Sequence, residues 1–293
     1  MEIEKGFDID SIIHKLLIQP ESRIRQEDQL EYKEIQHVCR TAKTVLKDDP
    51  SLYQLQSPIN VIGSLFGNFR NLKRILEYGQ LPPESKYLFL GNFCGIDKQA
   101  IECWTLVLAL KIKYPHHIYI LRGPKELFQQ SRHSLFFDIC KIRYTIKVWK
   151  YFKDVFDCLP YAATIDNIYF WAGSGIPPKL DSFEDINEIC SSENPTLLKI
   201  CEYLQSGIFT DNSIPHSNSI NDAQFGPEDI SEFCIEHGIS LVITTNNPQE
   251  GSYQLLAEKQ YLRVNSYSKK DPGYKEGVFL MISEPCTYSM QTV

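Results

Sequence analysis

The chain has 293 residues, with 30 Lys and Arg against 37 Asp and Glu, a formal net charge of −7 and 43% hydrophobic residues. That is one large or two modest domains with ample core material, and the acidic balance argues against nucleic acid or an anionic membrane as main partner. No apolar run nears the ~20 residues of a membrane span, and Met1 is followed by acids rather than a leader, so a cytoplasmic or nuclear rather than secreted protein is expected.

In chain order, Asp8 or Asp10 caps a first helix with the apolar stripe Ile9, Ile12, Ile13, Leu16 and Leu17, ending before Pro20. A second starts near Glu31, spaces Ile35, Val38, Ala42, Val45 and Leu46 helically, and stops before Asp48-Asp49-Pro50. With no linker or repeat, residues 1–293 read as a single domain, 1–55 its helical N-terminal part and 56–293 its core. From Pro58, strands alternate with helices. Ile59–Ile62 runs into Gly63-Ser64-Leu65-Phe66-Gly67 and a helix closed by Gly79. Tyr87–Leu90 ends at Gly91-Asn92 and precedes a helix through Trp104, Val107 and Leu108. Ile118–Leu121 ends at Arg122-Gly123-Pro124, and two helices fill Ser134 to Cys158. Ile168–Trp171 ends at Gly173-Ser174-Gly175, and Leu241–Ile243 at Thr244-Thr245-Asn246-Asn247. The segment from about Tyr261 to Met290 reads as paired strands with a turn at Asp271-Pro272-Gly273.

The nine cysteines, Cys39, Cys94, Cys103, Cys140, Cys158, Cys190, Cys201, Cys234 and Cys286, are scattered without a C-x-x-C pair. They read as reduced, mostly buried thiols rather than a disulfide framework or zinc cluster. Loops at strand C-termini converge on one edge in layered α/β folds, so the chemistry belongs to the five turns above. A two-cation hydrolytic centre needs carboxylates and imidazoles. The turns offer Ser64, Phe66, Asn92, Gly95, Pro124, Lys125, Gly173 and Asn246 instead, and His14, His37, His116, His117, His133, His216 and His237 all lie elsewhere. Gly173-Ser174-Gly175 lacks the nucleophile-elbow frame, and Cys94 lacks an evident base. No metal or other cofactor is expected.

Several stretches carry a family likeness. They are Tyr78-Gly79-Gln80-Leu81-Pro82-Pro83-Glu84-Ser85-Lys86-Tyr87-Leu88-Phe89-Leu90-Gly91, Lys111-Ile112-Lys113-Tyr114-Pro115, Leu121-Arg122-Gly123, Arg143-Tyr144-Thr145-Ile146-Lys147-Val148-Trp149-Lys150 and Cys158-Leu159-Pro160. In these the chain resembles the catalytic subunit of the serine/threonine protein phosphatases, closest to type 1, from about Ile9 to Met290. The resemblance implies an α+β fold of layered α/β type: a metallophosphatase-like β-sandwich flanked by helices, with metals at the strand ends.

The departures fall on that family's chemistry. The metal-binding Asp and His of G-D-x-H-G are replaced by Ser64 and Phe66. In G-D-x-x-D-R-G the bridging Asp, second acid and phosphate-gripping Arg become Asn92, Gly95 and Ile96. The metal Asn and proton-donating His of G-N-H-E become Pro124 and Lys125, with Glu126 kept. Two further metal histidines become Gly173 and Asn246, and the second phosphate-binding Arg becomes Ser219. Ser266-Tyr267-Ser268-Lys269-Lys270 replaces the S-A-P-N-Y segment. Each loss removes several kcal/mol of barrier lowering, at about 1.4 kcal/mol per tenfold in rate. The expectation is a pseudophosphatase and not an enzyme. Neutral Ser64, Asn92 and Asn246 relieve the repulsion of an emptied carboxylate site, with the Lys125 ammonium either standing in for a metal cation or facing solvent.

Type-1 phosphatases dock a Val- and Phe-bearing peptide in an apolar groove; the matching positions are Tyr169, Leu241, Leu255, Leu280, Cys286 and Tyr288, which serve either as groove or as ordinary sheet core. The expected role is a protein-interaction or scaffold module that competes for phosphatase regulatory subunits. The alternatives are residual phosphoprotein hydrolysis at a non-standard site and a structural subunit of a larger assembly.

Overall fold

Helix α1 (Ile9–Ile18) buries Ile12, Ile13 and Leu16, and α2 (Tyr32–Leu46) buries Ile35, Val38, Cys39, Ala42 and Leu46, the one-sided stripes that helical spacing requires. The computed structural model describes residues 8–18, 29–95, 97–177, 179–189, 194–210, 223–245, 252–267, 276–285 and 287–293. The helical segment ends at Leu46, because Leu52–Leu55 forms strand β1 rather than more helix.

Strand β2 (Ile59–Ile62), α3 (Phe69–Tyr78) and β3 (Tyr87–Phe89) follow. Asn68 starts α3 by accepting the Asn71 N–H, and Gly79 ends it. The next helix, α4 (Ala100–Lys113), is buried around its circumference from Ala100 to Lys111 and so sits centrally. Its Trp104 ring lies 4.5 Å from Phe93 and 4.8 Å from Phe156. Burying each such ring contributes roughly 1.5–3 kcal/mol. The charges of α4 are matched: Glu102 accepts from Arg143, and Lys111 bonds Asp49 and the Pro115 carbonyl.

Strand β4 (Ile118–Ile120) leads to α5 (Phe128–Arg132), α6 (Leu135–Arg143) and α7 (Ile146–Phe156), then β5 (Ala162–Ile165) and β6 (Tyr169–Ala172). Next come α8 (Glu184–Glu188), α9 (Pro195–Ser206), β7 (Ile208–Phe209), β8 (Gln224–Phe225), α10 (Pro227–His237) and β9 (Leu241–Thr244). The chain finishes with β10 (Tyr253–Leu256), β11 (Tyr261–Val264), β12 (Val278–Ser283) and β13 (Thr287–Thr292).

Strands β1-β5-β6-β9-β11-β10 form a six-stranded mixed sheet, and β13-β12-β2-β3-β4 a five-stranded one. One apolar cluster lies between the sheets (Leu88, Trp171, Ile243, Leu280), a second joins α1–α4, α6 and α7 to the five-stranded sheet, and a third joins α8–α10 to the six-stranded sheet. The order is helices, sheet, sheet, helices. The expected pairing within Tyr261–Met290 holds for β12 and β13, which pair antiparallel, and is corrected for β11, which pairs with β9 and β10 and so lies in the other sheet from β12. The expected turn at 271–273 lies outside the described residues. Among the described residues no helix is long and apolar enough to cross a membrane, and Cys39, Cys94, Cys103, Cys140, Cys158, Cys201 and Cys234 are free thiols.

Candidate functional site

Strands β2, β3 and β4 run parallel in one sheet and β6, β9 and β11 bring parallel pairs to the other, so their C-terminal loops meet at one edge of the sandwich. Ser64 follows β2, Asn92 follows β3, Glu126 follows β4, and Thr245 follows β9. All four are buried.

Their polar atoms bond to one another. Ser64 Oγ donates to the Thr245 carbonyl at 2.8 Å and lies 2.8 Å from Thr245 Oγ1. Asn92 Nδ2 donates to Thr245 Oγ1 at 2.5 Å and to Ser64 Oγ at 3.2 Å, while Asn92 Oδ1 accepts the Lys125 backbone N–H at 3.0 Å. One proton arrangement satisfies all of these: Ser64 gives to the carbonyl, Thr245 to Ser64 Oγ, and Asn92 to Thr245 Oγ1.

Beneath the network, Glu126 is a fully buried carboxylate. Its Oε2 accepts from the backbone N–H of Asn92 and Gly123 and its Oε1 from those of Phe93 and Cys94, at 2.8–3.1 Å. Burial raises its pKa above the usual carboxylate value, and the N–H groups of Cys94, Asn92 and Phe93 oppose the rise. The Cys94 thiol is driven well above the ordinary range by burial and then by Glu126, which removes it as a nucleophile. Ser174 Oγ donates to the Gly207 carbonyl at 2.8 Å, so this serine ties a turn.

Phe66 occupies a left-handed backbone conformation (φ 47°), costly for a bulky residue at roughly 1–2 kcal/mol. Its N–H donates to the Asn92 carbonyl, its carbonyl accepts from Asp97, and its ring meets Tyr267 edge-on with centroids 5.7 Å apart. Ser266 fastens the floor by accepting from the Gly63 N–H and donating to the Val278 carbonyl.

The loops have closed on their glycines. A Cβ built on Gly95 overlaps the Phe66 backbone, and one on Gly173 overlaps the Arg122 carbonyl. Side chains long enough to reach an ion have no room at either position in this backbone.

The pair of divalent ions implied by the fold is therefore a poor match to these residues. The donor atoms are neutral and already engaged with each other, a hydrocarbon ring fills position 66, and positions 95 and 173 are packed shut. Among the described residues no group of three or more His, Cys, Asp or Glu is placed to hold an ion.

Of the positions read from the sequence, Ser64, Phe66, Asn92, Gly95, Lys125 and Gly173 come together here, and Pro124 opens the single turn bearing Lys125 and Glu126. Ile96, Ser219 and Asn246 lie outside the described residues. Of the two placements left open for the Lys125 ammonium, the one standing in for a cation is not found among the described residues. Lys125 joins through its backbone N–H, and its ammonium has no hydrogen-bond or ion-pair partner among the described residues. The central place is taken by Thr245, which sequence reasoning passed over; its signal was a pair of threonines ending β9.

The expected groove divides. Tyr169, Leu241 and Leu280 are buried between the sheets as core. Leu255 and Tyr288 are exposed on β10 and β13, the terminal strands of the two sheets, and the Tyr288 ring meets Tyr169 edge-on at 6.2 Å. Cys286 lies outside the described residues.

The fold is similar to that of a serine/threonine protein phosphatase from Saccharomyces cerevisiae described as having similarity to human phosphatase PP5. The TM-score is 0.76 at 20% identity, with 90% of each chain covered. A sequence profile of the calcineurin-like phosphoesterases matches residues 57–245, the stretch that supplies Ser64, Asn92, Glu126, Gly173 and Thr245. The chain belongs to the calcineurin-like phosphoesterase family and has its metallophosphatase sandwich.

Proposed function

We propose that the chain is a pseudophosphatase of the type-1 serine/threonine protein phosphatase kind, a non-catalytic protein-interaction module of the cytoplasm or nucleus. The observation that supports this reading is the mutual bonding of Ser64, Asn92 and Thr245 where the family holds its ions. With no acidic or imidazole donor at these positions, water activation and charge neutralisation of a phosphoryl group have no source.

The interaction surface in this reading is at Leu255 and Tyr288, exposed on the terminal strands of the two sheets. Leu255 is the register partner of Leu262, so it points to the face between the sheets, on a strand whose outer edge has no partner among the described residues. Such an edge accepts an extended Val- and Phe-bearing segment by strand addition, the segment a phosphatase regulatory subunit presents.

Two measurements test the reading. Elemental analysis of the purified protein, with phosphopeptide turnover in excess manganese, is expected to give neither stoichiometric metal nor turnover. Manganese-dependent turnover abolished by Asn92→Ala would overturn the non-catalytic assignment. Titration with a Val- and Phe-bearing peptide is expected to show binding that Leu255→Arg abolishes; no binding by the parent chain would remove the docking role.

A further inference from the structure

The outer helix layers of the sandwich have opposite charge. Helices α1–α7, on the five-stranded sheet, carry fifteen Lys and Arg against six Asp and Glu. Helices α8–α10, on the opposite side against the six-stranded sheet, carry one lysine, Lys199, against eight carboxylates. The net charge of −7 conceals this polarity.

Each layer also exposes an aliphatic knob among its charges. Of the large hydrophobic residues described, Ile142 (82% exposed) and Ile235 (78%) are the most exposed. Ile142 stands at the end of α6 beside Lys141, and exposed Lys147 follows at the start of α7. On α10, Glu228, Glu232, Ile235 and Glu236 fall at i, i+4, i+7 and i+8, one outward stripe opposite the buried Ile230, Phe233 and Cys234. Neither those lysines nor those glutamates form an ion pair among the described residues.

We propose that the chain binds a second copy of itself head to tail, the basic α6–α7 face of one copy seated on the acidic α10 stripe of the next. Charge complementarity selects this occupant: the chain itself carries the acidic, isoleucine-bearing surface that its basic, isoleucine-bearing surface calls for. The two faces lie on opposite outer layers, so the contact is heterologous and extends into a chain or closes into a ring. Whole-molecule repulsion between copies is screened beyond a Debye length of about 10 Å at 0.1 M salt, while apposed faces interact within it. The proposal is independent of the non-catalytic reading and of the strand-edge docking role.

Sedimentation velocity on the full chain tests it. At about 0.1 M salt a concentration-dependent, faster-sedimenting species is expected, lost near 1 M, where the Debye length is about 3 Å. Lys141→Glu with Lys147→Glu should leave monomers, as should Glu232→Lys with Glu236→Lys, and an equimolar mixture of these two variants should restore association. Restoration also certifies that both variants are folded. A monomer at every concentration, association indifferent to both reversals, or a mixture that stays monomeric would overturn the proposal. So would a monomeric parent chain whose basic face instead shifts a DNA duplex in a gel, which would identify a polyanion as the occupant.

Discussion

Ser64 and Thr245 are 181 residues apart in sequence, and their hydroxyl oxygens lie 2.8 Å apart, one following a strand of each sheet. The contact ties the five-stranded sheet to the six-stranded one at the edge where the family's ions would sit. A neutral hydrogen bond there needs no ion in solution, and burial shields it from competing water.

Thr245→Val keeps the branched shape and removes the hydroxyl. Ser64 loses a donor and Asn92 Nδ2 an acceptor, both in a buried place. The loss expected is about 1–3 kcal/mol of stability, read from the urea midpoint. Asn92→Ala and Thr245→Val should be non-additive, with a coupling of about 0.5–3 kcal/mol. An unchanged midpoint in Thr245→Val would show the network to be idle.

Asn92→Asp restores the family's residue type without its cations. The introduced carboxyl would be buried above Glu126, which already takes the Asn92 N–H. Burial and a like charge both raise its folded pKa. A raised folded pKa gives a contribution present below the unfolded value of about 3.9 and lost as pH rises through the folded one. The variant should therefore fall further behind the parent protein at about pH 7.5 than at about pH 5, with no recovery in manganese. A manganese-dependent rise in Tm would show that the site still accepts an ion.

Gly173→His tests whether the loops have closed. The first side-chain carbon overlaps the Arg122 carbonyl, so the 122–123 and 173 loops must separate. Overpacking of this kind costs typically about 1–3 kcal/mol. A variant as stable as the parent in thermal melts would mean that the loops open readily.

Much of this architecture is legible in the sequence. The stripes of α1 and α2 and the strand–turn–helix punctuation after β2, β3 and β4 follow from spacing and glycines, and they place Ser64 and Asn92 at a common edge. Short apolar runs identify β11 and β12 as strands but carry no information about partners, which depend on contacts with β9 and with β2, the latter more than 200 residues away. Thr245 escapes for the same reason. A hydroxyl at a strand end has no local signature, and its role depends on Ser64 and Asn92 arriving from the other sheet. The charge split between the outer helix layers is likewise invisible in a net charge, because the fold decides which helices share a side.

His237 gives the clearest pH dependence. Its ring stacks on Phe183 with centroids 4.9 Å apart, lies 4.7 Å from Phe233, and buries Nε2 without a hydrogen-bond partner among the described residues. Burial lowers its pKa below the ordinary 6.5, against the opposing pull of Glu236 and the Leu180 backbone. A base with a depressed folded pKa contributes stability that is fully present above its unfolded value and lost as pH falls through the folded one. Urea midpoints should therefore decline as pH drops through 6.5, the ordinary value, toward the lower folded one. His237→Phe keeps an aromatic ring between Phe183 and Phe233 but cannot take a proton. It gives up the bond to the Leu180 backbone, which moves the whole curve without changing its slope. The variant should lose its share of the acid-side slope, and an identical slope in parent and variant would place that pH dependence elsewhere.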